Sequence, residues 1–289
     1  MPRSINLHLT HECNYRCRFC YFTKPGHLAS LPPTLEPTLP LDGQLKLQSM
    51  LVEAGTERIT YAGGEPTLIP HLEELVLQWH ELQGGDAPRA MIVTNGAALY
   101  ERRLLRMQLA LAAVKLSAES SSDGVEAALG RGYGSHPSLV MSRADLLHRL
   151  GIRVDLNSVI CRLNLKEDLT PLVQRIRPRF WKVFQVLPVP GQNDRSISEL
   201  SITAEEFSDF LSRYPHLRDV LVSEDNDTMR GSYAMVDPLG RFFQSTTSGY
   251  VRSKHSILDV GVTRALDEAG LDWERYDRRG GDDRAFPKE

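Results

Sequence analysis

Long apolar runs are missing from this chain: nothing in it approaches the roughly 20 consecutive residues that cross a bilayer. Its first ten residues also lack the charged-then-apolar layout of a secretory leader. The expected setting is therefore the cytoplasm. An excess of charge of either sign is lacking too. A formal net charge of -3 exerts no overall pull on a polynucleotide, so an anionic ligand must be met by a few local Lys and Arg side chains. Cysteine is sparse: 4 among 289 residues cannot staple a fold of this size. Internal repeats, low-complexity tracts and long linkers are lacking as well, which argues against a solenoid or a string of domains.

What is present is a strand-then-helix alternation. Residues 5–9 alternate apolar and polar, then come three cysteines and a Pro-, Leu- and Thr-rich stretch, 24–40, expected as irregular loop. A helix over 41–54, closed by Gly55, leads to a strand over 58–62. Leu72, Leu75, Val76, Trp79 and Leu82 recur at helical spacing before a strand over 90–94. Helix 99–111 with strand 114–117, helix 138–150 with strand 154–160, and a short polar helix with strand 180–187 follow. About six βα units predict an α/β fold of the partial (β/α)6 TIM-barrel type with right-handed crossovers. Residues 1–190 form the expected barrel core. Residues 191–289, with a helix at 204–214 and short strands near Val220, Ala234 and Phe242, are expected to cover its mouth within the same structural domain.

Three of the four cysteines stand as Cys13-x3-Cys17-x2-Cys20, directly after the first strand. Three thiolates without a fourth at ligand spacing would leave one iron of a [4Fe–4S] cluster without a protein ligand, free to chelate the amino and carboxylate groups of S-adenosylmethionine. Structural zinc, with His8, His11 or His27 as fourth ligand, is the alternative, although zinc sites usually pair ligands from two separated knuckles. Cys161 reads as a small buried hydrophobe.

The run 13–20, CNYRCRFC, with its aromatic residue before the last cysteine and Tyr21-Phe22 after it, resembles the cluster motif of radical S-adenosylmethionine enzymes. Gly63-Gly64-Glu65-Pro66, at the end of the second strand, resembles that superfamily's motif for the methionine amino group. Two glycines admit close backbone approach there, and Glu65 or backbone carbonyls can accept from an ammonium. Four further segments are similar to one family, the viperins: GRGYG at 130–134, NSVI at 157–160 with Arg162 and Asn164, WKVFQ at 181–185, and SILDVGV at 256–262.

The likeness runs from about Ile5 to Gly281 and implies an activity. A 5′-deoxyadenosyl radical takes hydrogen from C4′ of a ribonucleoside triphosphate (CTP, UTP or GTP), and water is lost. The product is the 3′-deoxy-3′,4′-didehydro analogue, a chain terminator of viral RNA synthesis. A flavodoxin- or ferredoxin-type donor supplies the electrons. By the same resemblance Cys13, Cys17 and Cys20 hold the cluster, while Gly63, Gly64, Glu65, Ser117, Asn157 and Tyr21 attend S-adenosylmethionine. Asn6, Arg131, Arg162 and Lys182 attend the nucleotide, the three cations as one pocket for the triphosphate. Tyr233 is the residue that returns a hydrogen atom.

Each has a plainer reading as a buried polar group, an ion pair, a solvated turn or a packed tyrosine. Two departures stand out. Asp155 occupies a place held by lysine in animal members, so a phosphate contact is replaced or the nucleotide preference differs. The chain also starts at the first strand, without the amphipathic membrane helix of those members, which implies a soluble prokaryotic viperin. Gly280-Gly281 resembles a segment that folds over the nucleotide. A radical enzyme acting on a peptide or cofactor precursor is the competing activity; relatives of that kind often carry extra cysteines, which Cys161 alone cannot supply. A non-enzymatic metal scaffold is the other.

Overall fold

A computed structural model describes residues 1–22 and 38–279. Seven parallel strands lie side by side in chain order: β1 (Ser4–His8), β2 (Arg58–Ala62), β3 (Ala90–Thr94), β4 (Leu111–Ser117), β5 (Val154–Ile160), β6 (Trp181–Gln185) and β7 (Leu221–Glu224). β8 (Met235–Val236) pairs parallel with the free side of β1. β9 (Phe242–Thr246) and β10 (Gly249–Arg252) then add antiparallel ribbons at that edge. The sheet ends on β7 at one side and β10 at the other, so the barrel is open.

Period-two alternation explains why this sheet encloses a cavity instead of a filled core. Val114 and Leu116 of β4, Leu156 and Ile160 of β5, and Trp181 and Val183 of β6 join the apolar core under the helices. The positions between them, Lys115, Ser117, Asn157, Val159, Lys182 and Phe184, line the interior. Helices Leu41–Glu53, Leu72–Leu82 and His136–Arg149 cover the outside, with Leu47, Leu75, Val76, Trp79, Val140 and Leu147 fully buried.

The helix expected over 99–111 stops at Met107, and β4 begins at Leu111 instead of Val114. Leu111, Ala112 and Ala113 favour a helix by local propensity, but pairing of this stretch with Ala90 and Met91 of β3 prevails. Residues after 190 do more than lie over an opening, since they supply β7 at one end of the sheet and β8 to β10 at the other. Among the described residues no helix is long and apolar enough to cross a membrane. Cys161 is fully buried in the main core. His27, most of the 24–40 loop and Gly280-Gly281 lie outside the described residues.

Candidate active site

The cysteine loop is held by backbone contacts on two sides. Gly64 N donates to Thr10 O (2.6 Å) and Glu65 N to Glu12 O (2.8 Å), while Arg16 N and Arg18 N donate to Gly130 O (3.0 Å) and Leu129 O (2.8 Å). Glycine is required at both seams. A Cβ on Gly64 would sit 2.1 Å from Glu12 O, and one on Gly130, whose φ is +77°, would sit 2.2 Å from Arg16 O. The close approach expected of the glycine pair is thus made first to the loop that carries Cys13.

Glu65 is fully buried, and its carboxylate is consumed locally. Oε1 accepts from Thr67 N (3.0 Å), Thr67 Oγ1 (2.6 Å) and Thr94 Oγ1 (2.7 Å), and Oε2 accepts from Asn95 N (2.8 Å). Burial raises its pKa and these four bonds oppose the rise. Its side chain ties the end of β3 to the turn after β2. Asn95 in turn donates to Asn14 Oδ1 (2.9 Å) inside the cysteine loop. Neither asparagine had a sequence signal beyond an Asn-Gly turn.

Cys13, Cys17 and Cys20 face the same interior cavity of about 240 Å³, and all three also line a second hollow of about 280 Å³ that includes Arg16, Arg18 and Arg195. Burial pushes the Cys13 and Cys17 thiols up and raises Cys20 to about 11. Three half-buried thiolates need cationic compensation, which the irons of a cluster provide, and no other cysteine stands beside them as a fourth ligand. The donor set therefore fits a three-cysteine cluster. The zinc alternative fits less well. His8 is enclosed by aromatic rings, 4.2 Å from Phe22 and 5.1 Å from Phe243 between centroids, and burial lowers its pKa to about 3. Among the described residues no three His, Cys, Asp or Glu side chains are grouped to hold a single metal ion.

The interior cavity brings together every site residue expected from the sequence except one. Asn6, the cysteines, Tyr21, Gly63, Gly64, Glu65, Ser117, Arg131, Asn157, Lys182 and Tyr233 all line it. Ser117, Asn157 and Lys182 form one row across β4, β5 and β6, and among the described residues Asn157 Oδ1 has no hydrogen-bond partner.

The exception is Arg162. It is exposed at the turn after β5, forks onto Glu206 and donates to Ser201 O (3.1 Å), so the surface carboxylate draws it away from the cavity. The other two cations both line the cavity, each beside a carboxylate. Arg131 lies at the cysteine end, where it pairs with Glu119 (Nη2 to Oε1, 3.1 Å), lies 3.8 Å from Glu126 and stands 5.5 Å from the Phe19 ring. Lys182 stands on β6, 2.7 Å from Glu224 Oε1, and donates to Tyr233 Oη (3.0 Å). The Tyr233 hydroxyl donates to Glu224 Oε2, and the Arg279 guanidinium stacks 3.8 Å over the Tyr233 ring. Glu119, Glu224, Arg279 and Lys115 carried no motif and were missed.

Parts of two of the family-like segments serve the scaffold. Asn164 is buried and accepts from Cys161 N (2.8 Å) while donating to Glu119 O (2.8 Å) and Val159 O (2.9 Å). Ser256 caps the short helix Ile257–Val260, whose Ile257 is in the core.

An open parallel barrel with three cysteines after β1 and a glycine pair after β2 defines a radical S-adenosylmethionine protein, and the family model of the Radical SAM superfamily matches residues 7–176. Native anSMEcpe with bound AdoMet shares the fold at a TM-score of 0.65 and 14% identity, over 95% of this chain and 82% of that one. Two relatives are nearer in sequence. An S-adenosylmethionine-dependent nucleotide dehydratase of Flammeovirga pacifica is 37% identical over 96% of this chain and 94% of its own length. The S-adenosylmethionine-dependent nucleotide dehydratase RSAD2 of Oncorhynchus mykiss is 32% identical over 97% of this chain and 80% of its own. The chain belongs to the radical S-adenosylmethionine superfamily and, within it, to this nucleotide dehydratase family, the viperins. Its cofactors are accordingly a [4Fe–4S] cluster and S-adenosyl-L-methionine.

Proposed function

We propose that this protein dehydrates a ribonucleoside triphosphate, CTP, UTP or GTP, to its 3′-deoxy-3′,4′-didehydro analogue, a chain terminator of viral RNA synthesis, in cytoplasmic antiviral defence. The observation that carries the proposal is one cavity lined by the three thiols, by Ser117 and Asn157, and by Lys182. The relatives' shared name, nucleotide dehydratase, agrees with it.

Cys13, Cys17 and Cys20 hold the cluster. Gly63, Gly64, Ser117, Asn157 and Tyr21 bind S-adenosylmethionine, and Glu65 orients the glycine turn from beneath. Arg131, beside Cys17 at the cluster site, suits the carboxylate of that cofactor. When bound, the cluster and S-adenosylmethionine supply the radical that takes a hydrogen atom from the ribose. Lys182 holds phosphate and Asn6 the nucleotide beside it. The Tyr233 hydroxyl, fixed by Lys182 and Glu224, keeps a hydrogen atom ready for return. Phe184 and Met235 line the wall and exclude water that would quench reactive species. A flavodoxin- or ferredoxin-type protein delivers electrons.

The test is anaerobic reconstitution with S-adenosylmethionine, reductant and each ribonucleoside triphosphate in turn, following 5′-deoxyadenosine and nucleotide mass. A nucleotide that stimulates cleavage and emerges one water lighter supports the proposal. Cleavage indifferent to every nucleotide would reject it.

A further inference from the structure

Among the described residues three cations line the cavity: Arg131 at the cysteine end, Lys182 on β6, and Lys115 on β4. Lys115 is 7% exposed and stands on the inward face, two residues before Ser117. Since Ser117, Asn157 and Lys182 form one row, Lys115 belongs to the row beneath, where its register partner on β5 is Asp155. An ammonium in such a wall is costly unless its charge is used. Asp155 stands beside it as a counter-charge: burial raises that carboxyl, and Lys115 is the largest charge opposing the rise. Among the described residues Asp155 Oδ1 has no hydrogen-bond partner, and Asp155 does not line the cavity, whereas Lys115 does.

Two strand spacings, about 10 Å, separate the backbones of β4 and β6. A polyphosphate lying over β5 would meet Lys115 from one side and Lys182 from the other. We propose that Lys115 is a phosphate ligand of the nucleotide site, paired with Lys182 across β5 and steadied by Asp155. The proposal rests on the nucleotide reading above. It also answers what the carboxylate at 155 does there: the cation is carried by the neighbouring strand, and Asp155 serves as its counter-charge.

The test uses the full chain, reconstituted with cluster and S-adenosylmethionine, and measures equilibrium binding of CTP, UTP and GTP against the corresponding nucleosides. Losing one charge-assisted phosphate contact should weaken triphosphate binding by about 10- to 100-fold in Lys115→Met, with nucleoside affinity unchanged. The exchange variant Lys115→Asp/Asp155→Lys keeps both charges in the same row and should recover much of the loss, and it provides a folded comparison should Lys115→Met not fold. Arg162→Ala, outside the cavity, should bind like the parent. If Lys115→Met keeps the parent's preference for triphosphate over nucleoside while Lys182→Met loses it, or if the exchange variant binds triphosphate no better than nucleoside, Lys115 is only a structural partner of Asp155, and the nucleotide reading stands. If the parent itself binds triphosphates no better than nucleosides, both proposals fall.

Discussion

Lys182 Nζ stands 2.7 Å from Glu224 Oε1, and both side chains meet the Tyr233 hydroxyl. The cation proposed to hold phosphate is therefore already neutralised, and the same carboxylate fixes the tyrosine proposed to return hydrogen. Arg279 closes the group, its Nη1 3.7 Å from Glu224 and its Nε donating to Ser232 O (3.0 Å).

Glu224→Gln tests this double role. The amide can still accept from Tyr233, but a negative charge next to the phosphate site is gone. Triphosphate should bind a few-fold tighter, about the value of one partly screened charge, while product yield per 5′-deoxyadenosine falls because Tyr233 is less firmly held. Calorimetric titration with CTP and a product ratio check the two halves. Weaker triphosphate binding would mean that Glu224 supports Lys182 instead of competing with its ligand.

Tyr233→Phe removes the hydroxyl and keeps the ring under Arg279. The expected outcome is continued formation of 5′-deoxyadenosine with little dehydrated nucleotide. Because Lys182 retains Glu224, triphosphate affinity should change little. Unchanged product yield would remove Tyr233 from the chemistry.

Gly64→Ala forces a Cβ to within 2.1 Å of Glu12 O and 2.5 Å of its carbonyl carbon, backbone atoms one residue before Cys13. Overpacking against backbone should cost about 3 kcal/mol and lower the iron bound per chain. Gly43→Ala is the comparison. A Cβ there meets only ordinary contacts at 3.5 Å within a helix, and the change should be neutral or stabilising by about 1 kcal/mol. Equal iron contents in both variants would show that the glycine seam does not position the cysteines.

The cysteine spacing, the glycine turn and nine of the described strands were legible because each is written in local pattern: a loop after an alternating run, a breaker after a helix, a period of two. Facing was not. Period two says that Lys115 and Ser117 share a side of β4, but only the helices packed on Val114 and Leu116 decide that this side is the cavity. Glu224 sits on a four-residue strand with little apolar pattern, and its partner Lys182 lies on another strand. Arg162 illustrates the converse. Its family-like surroundings pointed inward, while its actual partner, Glu206, belongs to a helix cap 44 positions along the chain. Ion pairs across that distance leave no trace in spacing.

Glu126 gives a pH dependence with a defined sign. Its Oε1 accepts from Glu119 N (2.7 Å) and Ser120 N (2.8 Å), and burial, followed by the charge of Glu119, raises its pKa from 4.5 to about 8. Between those values the folded protein holds a proton that the unfolded chain has released. Stability from this group is therefore lost as pH rises from about 5 to about 8. His8 and His136, both lowered to about 3 chiefly by burial, work oppositely, since the unfolded chain protonates them first as pH falls. The informative quantity is thus the difference between parent and Glu126→Gln, which stays neutral and can still accept both amides. Thermal melts of the two proteins at equal cofactor loading should converge at the acid end, with the variant losing less stability toward about pH 8. Parallel curves would assign the shared proton to Glu119 beside Arg131 instead, and Glu119→Gln should then be the variant that flattens the profile.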